Sequence, residues 1–357
     1  MLKILTVIGA RPQFIKCAPV SNKLRHYFTE IIVHTGQHYD NNLSQVFFDQ
    51  LSIPTPDYHL NVGSESHSVQ TAKILIELEK VIHKVLPNII LVYGDTNSTL
   101  AAAIVAAKML IPLVHIEAGL RSYNKKMPEE LNRICTDHYS DVLFCPGEKA
   151  TKNLKKEGII RNVFNVGDVM KDAVLQFEKK IDPAIIYKKY NLKPEEPFLF
   201  FTVHRQENTD ELKRLKKIFA NLTQSPLKII FPIHPRTKKI VTTNEIILPN
   251  NIIVVEPVDY IESIALQKLS NIVITDSGGI QKEAYFLRTP CITLREETEW
   301  EETVESGMNT IVGIDKEKYF QAHNKYLNYK LPESLKDYYG DGNASEKIAN
   351  ILRKIYE

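Results

Sequence analysis

Two carboxylates, Asp95 and Glu117, stand just past two apolar runs in the segment Asn88 to Ser122, NIILVYGDTNSTLAAAIVAAKMLIPLVHIEAGLRS. The runs Ile89–Tyr93 and Leu113–Ile116 read as buried parallel strands, with the Ala-rich Thr99–Leu110 as the crossover helix and Pro112 opening the second strand. A right-handed crossover brings the carboxyl ends of both strands to one sheet edge, where open α/β sheets bind ligands. Charge placed in a crevice without partners costs several kcal/mol, so a pair of carboxylates there points to chemistry. For Asp95 alone the competing reading is a helix cap after Gly94.

Other residues have the types and spacing to serve an anion. In Ile272 to Leu294, IVITDSGGIQKEAYFLRTPCITL, a strand, a Ser-Gly-Gly turn and a helix follow one another. That order suits phosphate held on backbone N–H groups at a helix N-terminus. Ser277 adds a hydroxyl, Gly278 and Gly279 allow close approach, and Glu283, about one turn into the helix, is an acceptor for ribose hydroxyls. The first turn, GARPQFIK, puts Arg11 and Lys16 around the start of the first helix. It has no G-x-G-x-x-G pattern, which disfavours NAD. His204 and His234 end strands in VHRQEN and FPIHPR, where an imidazole can bridge a diphosphate or trade protons near neutral pH. Glu129 and Arg133 in MPEELNR lie four apart on a helix opened by Pro128, a spacing that predicts an ion pair. No His-x-x-x-His, cysteine cluster or Asp-rich loop has metal-ligand spacing, so neither a metal nor another cofactor is expected.

The elements that position these residues alternate. Strand Lys3–Ile8 precedes helix Phe14–Arg25, Glu30–Thr35 precedes a helix near Asn42–Leu51, and helix Ser68–Val85 leads into the carboxylate segment. A second series runs through Phe198–Val203, Lys228–Ile233, Ile252–Glu256, Asn271–Thr275 and Pro290–Leu294. The expected fold is α/β, with two Rossmann-like doubly wound domains facing a cleft. Residues 1–168 form the first, carrying the carboxylates, and 169–343 the second, binding the nucleotide. Helix 344–357 is free to pack back on the first.

Composition narrows the partners. With 45 basic and 43 acidic residues the net charge is +2, which makes no case for nucleic acid or an acidic membrane surface. The four cysteines lack C-x-x-C spacing and predict a reducing, cytoplasmic setting. The N-terminal apolar run is too short for a signal peptide, and the stretch Leu100–Ile116, broken by Lys108 and Pro112, falls short of the ~20 residues a bilayer span needs.

Taken in order, GARPQFIK, QHYD, YGDTNSTL, HIEAGLRS, MPEELNR, VHRQEN, FPIHPR and TDSGGIQKEA closely resemble the non-hydrolysing UDP-N-acetylglucosamine 2-epimerase family, over residues 3 to about 313. The resemblance implies a glycosyltransferase-B-like fold, a homodimer, no nicotinamide or metal, and interconversion of UDP-GlcNAc and UDP-ManNAc. It casts Asp95, Glu117, Glu129 and His204 as catalytic, and Arg11, Lys16, Arg133, Ser277, Gly278, Gly279 and Glu283 as nucleotide or sugar contacts. Gln37, His38 and His234 resemble the region that holds a second, regulatory UDP-GlcNAc in bacterial members, although this chain reads QHYD where those read QHRE. Two further departures concern substrate. Trp300 in REETEWEE stands where UDP-GlcNAc enzymes carry an arginine, and no phenylalanine for the uracil appears in Tyr260–Leu266. GARPQFIK and ETEW are similar to the branch acting on UDP-2,3-diacetamido-2,3-dideoxyglucuronic acid. A carboxylate at C6 of that substrate needs a donor, and Arg121, Lys125 and Lys126 are the candidates.

The implied chemistry is coherent, because the C2 proton of a hexose has no adjacent carbonyl. Its removal is feasible once UDP leaves C1 to give a 2-acetamidoglucal. The rivals are a hydrolysing 2-epimerase, a glycosyltransferase of the same fold, and a nucleotide-sugar sensor. The carboxylates argue against the sensor and GARPQFIK against the hydrolysing branch.

Overall fold

The computed structural model describes residues 1–37, 53–223, 225–331 and 335–357. The helix expected near Asn42–Leu51 lies outside the described residues, as does His38. The chain divides into two compact units, Met1–Ala173 with Asp337–Glu357, and Val174–Lys336.

The first unit holds strands β1 (Lys3–Ile8), β2 (Thr29–His34), β3 (Tyr58–His59), β4 (Ile89–Tyr93), β5 (Leu113–Ile116), β6 (Val142–Cys145) and β7 (Val163–Asn165). They form one sheet in the order β3-β2-β1-β4-β5-β6-β7, and every pairing in it is parallel. Each residue of β4 and β5 is buried, as expected when helices cover both faces of a sheet. On one face Leu5, Val7, Val33, Ile90 and Val92 pack with Leu78 and Ile82 of helix His67–Val85 and Ala102, Ala103 and Ala106 of helix Asn97–Met109. The small alanine side chains let that second helix lie close to the sheet. Strand order reverses between β1 and β4, so the ends of β1, β4 and β5 lie side by side where ligands bind in such sheets.

The second unit repeats the plan. Strands β8 (Phe198–Thr202), β9 (Lys228–Pro232), β10 (Ile252–Val255), β11 (Ile272–Thr275), β12 (Cys291–Thr293) and β13 (Asn309–Ile311) are ordered β10-β9-β8-β11-β12-β13 and all parallel. The reversal falls between β8 and β11, which end next to His204 and Asp276.

The divisions at 173/174 and 336/337 lie a few residues from the sequence-based 168/169 and 343/344 because polar contacts tie the returning chain to the first unit. The Asp168 N–H donates to Tyr339 O at 2.9 Å, and Lys171 pairs with Asp337 and Gly340 O. The Asp172 carboxylate accepts from Ala344 N (3.1 Å), Ser345 N (2.7 Å) and Ser345 Oγ (2.6 Å), capping helix Ala344–Tyr356 from outside. That helix lies on helix Arg11–Leu24, joined by Lys23–Glu346 at 2.7 Å. No helix among the described residues is long and apolar enough to cross a membrane.

Asp172→Ala should leave two N–H groups of the last helix without acceptors and cost about 1–3 kcal/mol in denaturant unfolding. An unchanged midpoint would show that the cap carries no stability.

Candidate functional site

In the first unit the turn after β1 is filled from within. Gln13 Oε1 accepts the N–H groups of Gly9 (2.8 Å) and Ala10 (3.1 Å), while its Nε2 donates to Tyr93 O (2.9 Å) and to the Thr96 and Thr99 hydroxyls (3.0 Å each). In a dinucleotide-binding fold those turn N–H groups would face pyrophosphate. Here one amide uses them to tie β1 to β4.

Beyond that amide lie the charged groups. Glu117 follows β5 with φ +72°, in the left-handed region a non-glycine residue occupies at a cost. Its N–H and that of Ala118 both donate to Phe144 O at 3.0 Å, which holds the turn. Its carboxylate forms a buried ion pair with Lys16. The pair passes over Gly94, where an added Cβ would lie 3.1 Å from Glu117 Oε2 and 3.5 Å from Lys16 Nζ. Glycine is required there for space as well as for its φ of +61°.

Asp95 is not the helix cap. Thr96 is, accepting the Thr99 N–H, which leaves the Asp95 side chain to Arg133 Nη1 at 2.8 Å. Burial raises the Asp95 carboxyl above its ordinary range, the Arg133 cation opposes that rise, and Glu117 adds to it. The expected Glu129–Arg133 pair is replaced by another. Arg133 bonds Asp95 and Glu130 (3.2 Å), while Glu129 is exposed on the same helix and contributes only a through-space charge near Asp95. Glu130 is buried because it accepts from Ser122 N and Oγ and Tyr123 N, closing the loop after Glu117. Asn132 donates to Asp95 O at 2.8 Å. Arg11 is exposed at the start of its helix.

A buried network supports this turn. His115 of β5 meets Asp137 Oδ1 at 2.7 Å and Gly94 O at 2.8 Å. Asp137 also accepts from Gly119 N and Arg121, whose guanidinium binds Glu157 bidentately at 2.7 Å. Arg121 is thus committed inside the unit and is withdrawn as a donor to a substrate carboxylate. Lys125 and Lys126 are exposed. Gln37 accepts from Ser98 N (3.2 Å) and Oγ (2.7 Å).

In the second unit Ser277 caps helix Gly278–Phe286, its side chain accepting the Ile280 N–H. A Cβ on Gly278 would meet Glu299 Oε1 at 2.3 Å, whereas one on Gly279 would find, among the described residues, only Ser277 Oγ at 3.9 Å. Among those residues Gly279 therefore faces open space at the helix N-terminus, as a phosphate turn needs. Glu283 is buried and accepts from Gln267 Nε2 at 2.7 Å. His204 stacks on His234, with ring centroids 5.3 Å apart, and His234 caps helix Pro235–Thr243 by accepting the Arg236 N–H. Trp300 is buried, and Lys282 Nζ of helix Gly278–Phe286 sits 4.0 Å from its indole centroid in a cation–π contact. Arg295 pairs with Glu299 at 2.7 Å, and that cation is the main influence opposing burial in holding Glu299 below its ordinary range.

Sequence reasoning missed Gln13, Glu130, His115 and Asp137, whereas Asp276, standing before the Ser-Gly-Gly turn, already pointed to a site there. The four are polar residues inside an apolar strand or a helix, which was a signal available in the sequence.

A family model described as UDP-N-acetylglucosamine 2-epimerase matches residues 22–353. The chain belongs to the UDP-N-acetylglucosamine 2-epimerase family. Among its epimerase relatives is a UDP-N-acetylglucosamine 2-epimerase homolog of Methanococcus maripaludis, 48% identical over 99% of this chain and 100% of that protein. The UDP-2,3-diacetamido-2,3-dideoxy-D-glucuronate 2-epimerase of Pseudomonas aeruginosa is 45% identical over 99% of this chain and 100% of its own length. The crystal structure of Methanocaldococcus jannaschii UDP-GlcNAc 2-epimerase in complex with UDP-GlcNAc and UDP superposes with a TM-score of 0.88, at 42% identity, covering 99% of this chain and 100% of that one. The fold class is that of these epimerases, two Rossmann-like doubly wound α/β domains of the glycosyltransferase-B-like kind.

Two variants test the residue clusters of the two units of this epimerase-family chain. Asp95→Asn should lower turnover about 10²–10⁴-fold while UDP affinity is kept. Because the folded Asp95 carboxyl binds its proton more tightly than the unfolded one, stability falls as pH rises through the interval between the two values. The neutral amide should therefore raise Tm at neutral pH, with the gain vanishing in acid below the ordinary carboxylate range. A wild-type turnover would reduce Asp95 to a structural residue. Gly279→Asp should abolish UDP binding in calorimetry with cooperative unfolding retained, and an unchanged affinity would contradict the phosphate turn.

Proposed function

We propose that this chain is a non-hydrolysing UDP-sugar 2-epimerase, interconverting UDP-GlcNAc and UDP-ManNAc by elimination and re-addition of UDP. The observation that carries the reading is the cluster at the ends of β1, β4 and β5, where Lys16, Glu117, Asp95 and Arg133 lie in alternating charge around Gly94. Each carboxylate has a cation of its own and a different environment. Glu117, bound to Lys16, is suited to take the C2 proton, and Asp95, whose carboxyl is driven towards its protonated form, is suited to return one on the other face. Glu129 serves as a further acidic group from its exposed place on the adjoining helix. In the second unit the Ser277–Gly279 N–H groups and His204 receive the diphosphate and Glu283 the ribose, while in the first unit Arg11, exposed at the start of its helix, adds positive charge.

UDP-GlcNAc leads because the family relatives are named for it. A second reading, the UDP-2,3-diacetamido-2,3-dideoxyglucuronate substrate, is favoured by the Pseudomonas aeruginosa relative and by Trp300 in place of arginine. With Arg121 committed to Asp137 and Glu157, a C6 carboxylate would fall to Lys125 or Lys126. The enzyme acts as a homodimer in the cytoplasm, where UDP-sugars are made and thiols stay reduced. In support of the latter, all four cysteines are free, and burial pushes the thiols of Cys145 and Cys291 up to about 12. Gln37 and His234 mark the two regions in which a regulatory UDP-GlcNAc would be sought.

Incubation with each UDP-sugar in D2O should place a single solvent deuterium at C2 of the epimerised product, followed by NMR. Turnover without exchange would rule out proton abstraction, and free sugar with UDP would indicate the hydrolysing reaction. A kcat/KM for UDP-GlcNAc at least equal to that for the uronate sets the second reading aside. An inert UDP-GlcNAc sets aside the first.

A further inference from the structure

Asp276 is fully buried at the end of β11, and the mechanism above leaves it without a part. Its oxygens accept the N–H of His204 (3.1 and 3.0 Å), the N–H of Arg205 (2.9 Å) and the Asn208 side-chain amide (3.1 Å). Oδ1 lies 3.5 Å from His204 Nδ1. All of these donors belong to the turn and short helix that follow β8. β8 and β11 are neighbours where the strand order reverses, and the next residue after Asp276 is Ser277, the cap of the phosphate helix. A single carboxylate therefore sets the spacing between the two elements assigned to the diphosphate. An anion behind an anion site opposes binding unless its own hydrogen bonds absorb its charge, so a neutral acceptor would be the cheaper structural choice.

We propose that Asp276 is a positioning residue for the UDP site of the second unit, holding the His204 turn against the Ser277–Gly279 turn and engaging the Nδ1 edge of the imidazole. The stack on His234 fixes the face of the ring, and the carboxylate fixes its edge. Nε2 is then the nitrogen left for a diphosphate oxygen, and Nδ1 carries a proton, since a bare lone pair would face a carboxylate. This inference rests on the UDP-sugar reading for the ligand, whereas the His204–Asp276 geometry stands apart from it.

UDP affinity would be measured by calorimetry for wild type, Asp276→Asn, His204→Asn and the double variant. Asp276→Asn, which sets an amide donor among donors, should weaken UDP by about tenfold or more. In the His204→Asn background the same change should cost clearly less, no more than about threefold, because the imidazole is gone and only the Ser277–Gly279 turn remains to be positioned. Equal losses in both backgrounds would reduce Asp276 to a structural residue and overturn the proposal. Nitrogen-15 NMR of the wild-type histidines, with His204 assigned by comparison with His204→Asn, needs no Asp276 variant. A proton on Nδ1 supports the proposal, and an Nε2–H tautomer with bare Nδ1 overturns it. Wild type failing to bind UDP would instead overturn the UDP-sugar reading, and the tautomer would still decide whether Asp276 positions His204.

Discussion

Lys16 lies on helix Arg11–Leu24, which follows β1, and Glu117 directly follows β5; β1 and β5 are not neighbours, and the ion pair crosses the end of β4 between them. Much of the first unit's site can be traced to that crossing. It requires a residue without a side chain at position 94, because a Cβ there would lie 3.1 Å from one partner and 3.5 Å from the other. It requires Glu117 to leave β5 at a positive φ, and the unit supplies the restraint through Phe144 O and through His115, which bonds Gly94 O from within β5. Asp95, one residue past the glycine, is then turned to Arg133 instead of capping its helix. A buried ion pair is seldom a net source of stability. Its retention at a strained position is better explained by what the carboxylate does.

The two units solve the same problem in different ways. In each, the first turn after the sheet's reversal point offers backbone N–H groups that could bind an anion. Gln13 takes them in the first unit and Asp276 in the second. The amide is neutral, so the first unit can gather carboxylates and cations beside it. Among the described residues the second leaves the Ser277–Gly279 turn open, with Gly279 facing free space at the helix N-terminus. On the proposed function, proton chemistry and anion binding are thus assigned to different units built on one plan.

The long apolar strands and the strand-end residues were legible because burial on both faces and the switch-point rule leave little choice: Asp95, Glu117, His204 and Ser277 stand at strand ends as read. Short strands escaped. Tyr58–His59 and Val163–Asn165 are two and three residues long, partly exposed, and defined by their neighbours more than by their own pattern. Pairing also escaped, since helical spacing puts Glu129 and Glu130 equally near Arg133, and only the Ser122–Tyr123 loop decides that Glu130 is the buried one. Arg121 looked available by sequence and is consumed by Asp137 and Glu157. The contact of Trp300 also escaped, since Lys282, whose Nζ lies 4.0 Å from the indole centroid, is eighteen residues earlier on another helix.

The central claim is that C1–O cleavage precedes exchange of the C2 proton, so that UDP is a true, enzyme-held intermediate. Positional isotope exchange tests it most directly. With 18O in the bridge between C1 and the β-phosphorus, the label should scramble into the non-bridging β-phosphate oxygens at a rate no slower than epimerisation. Epimerisation with the label fixed in the bridge would contradict the account.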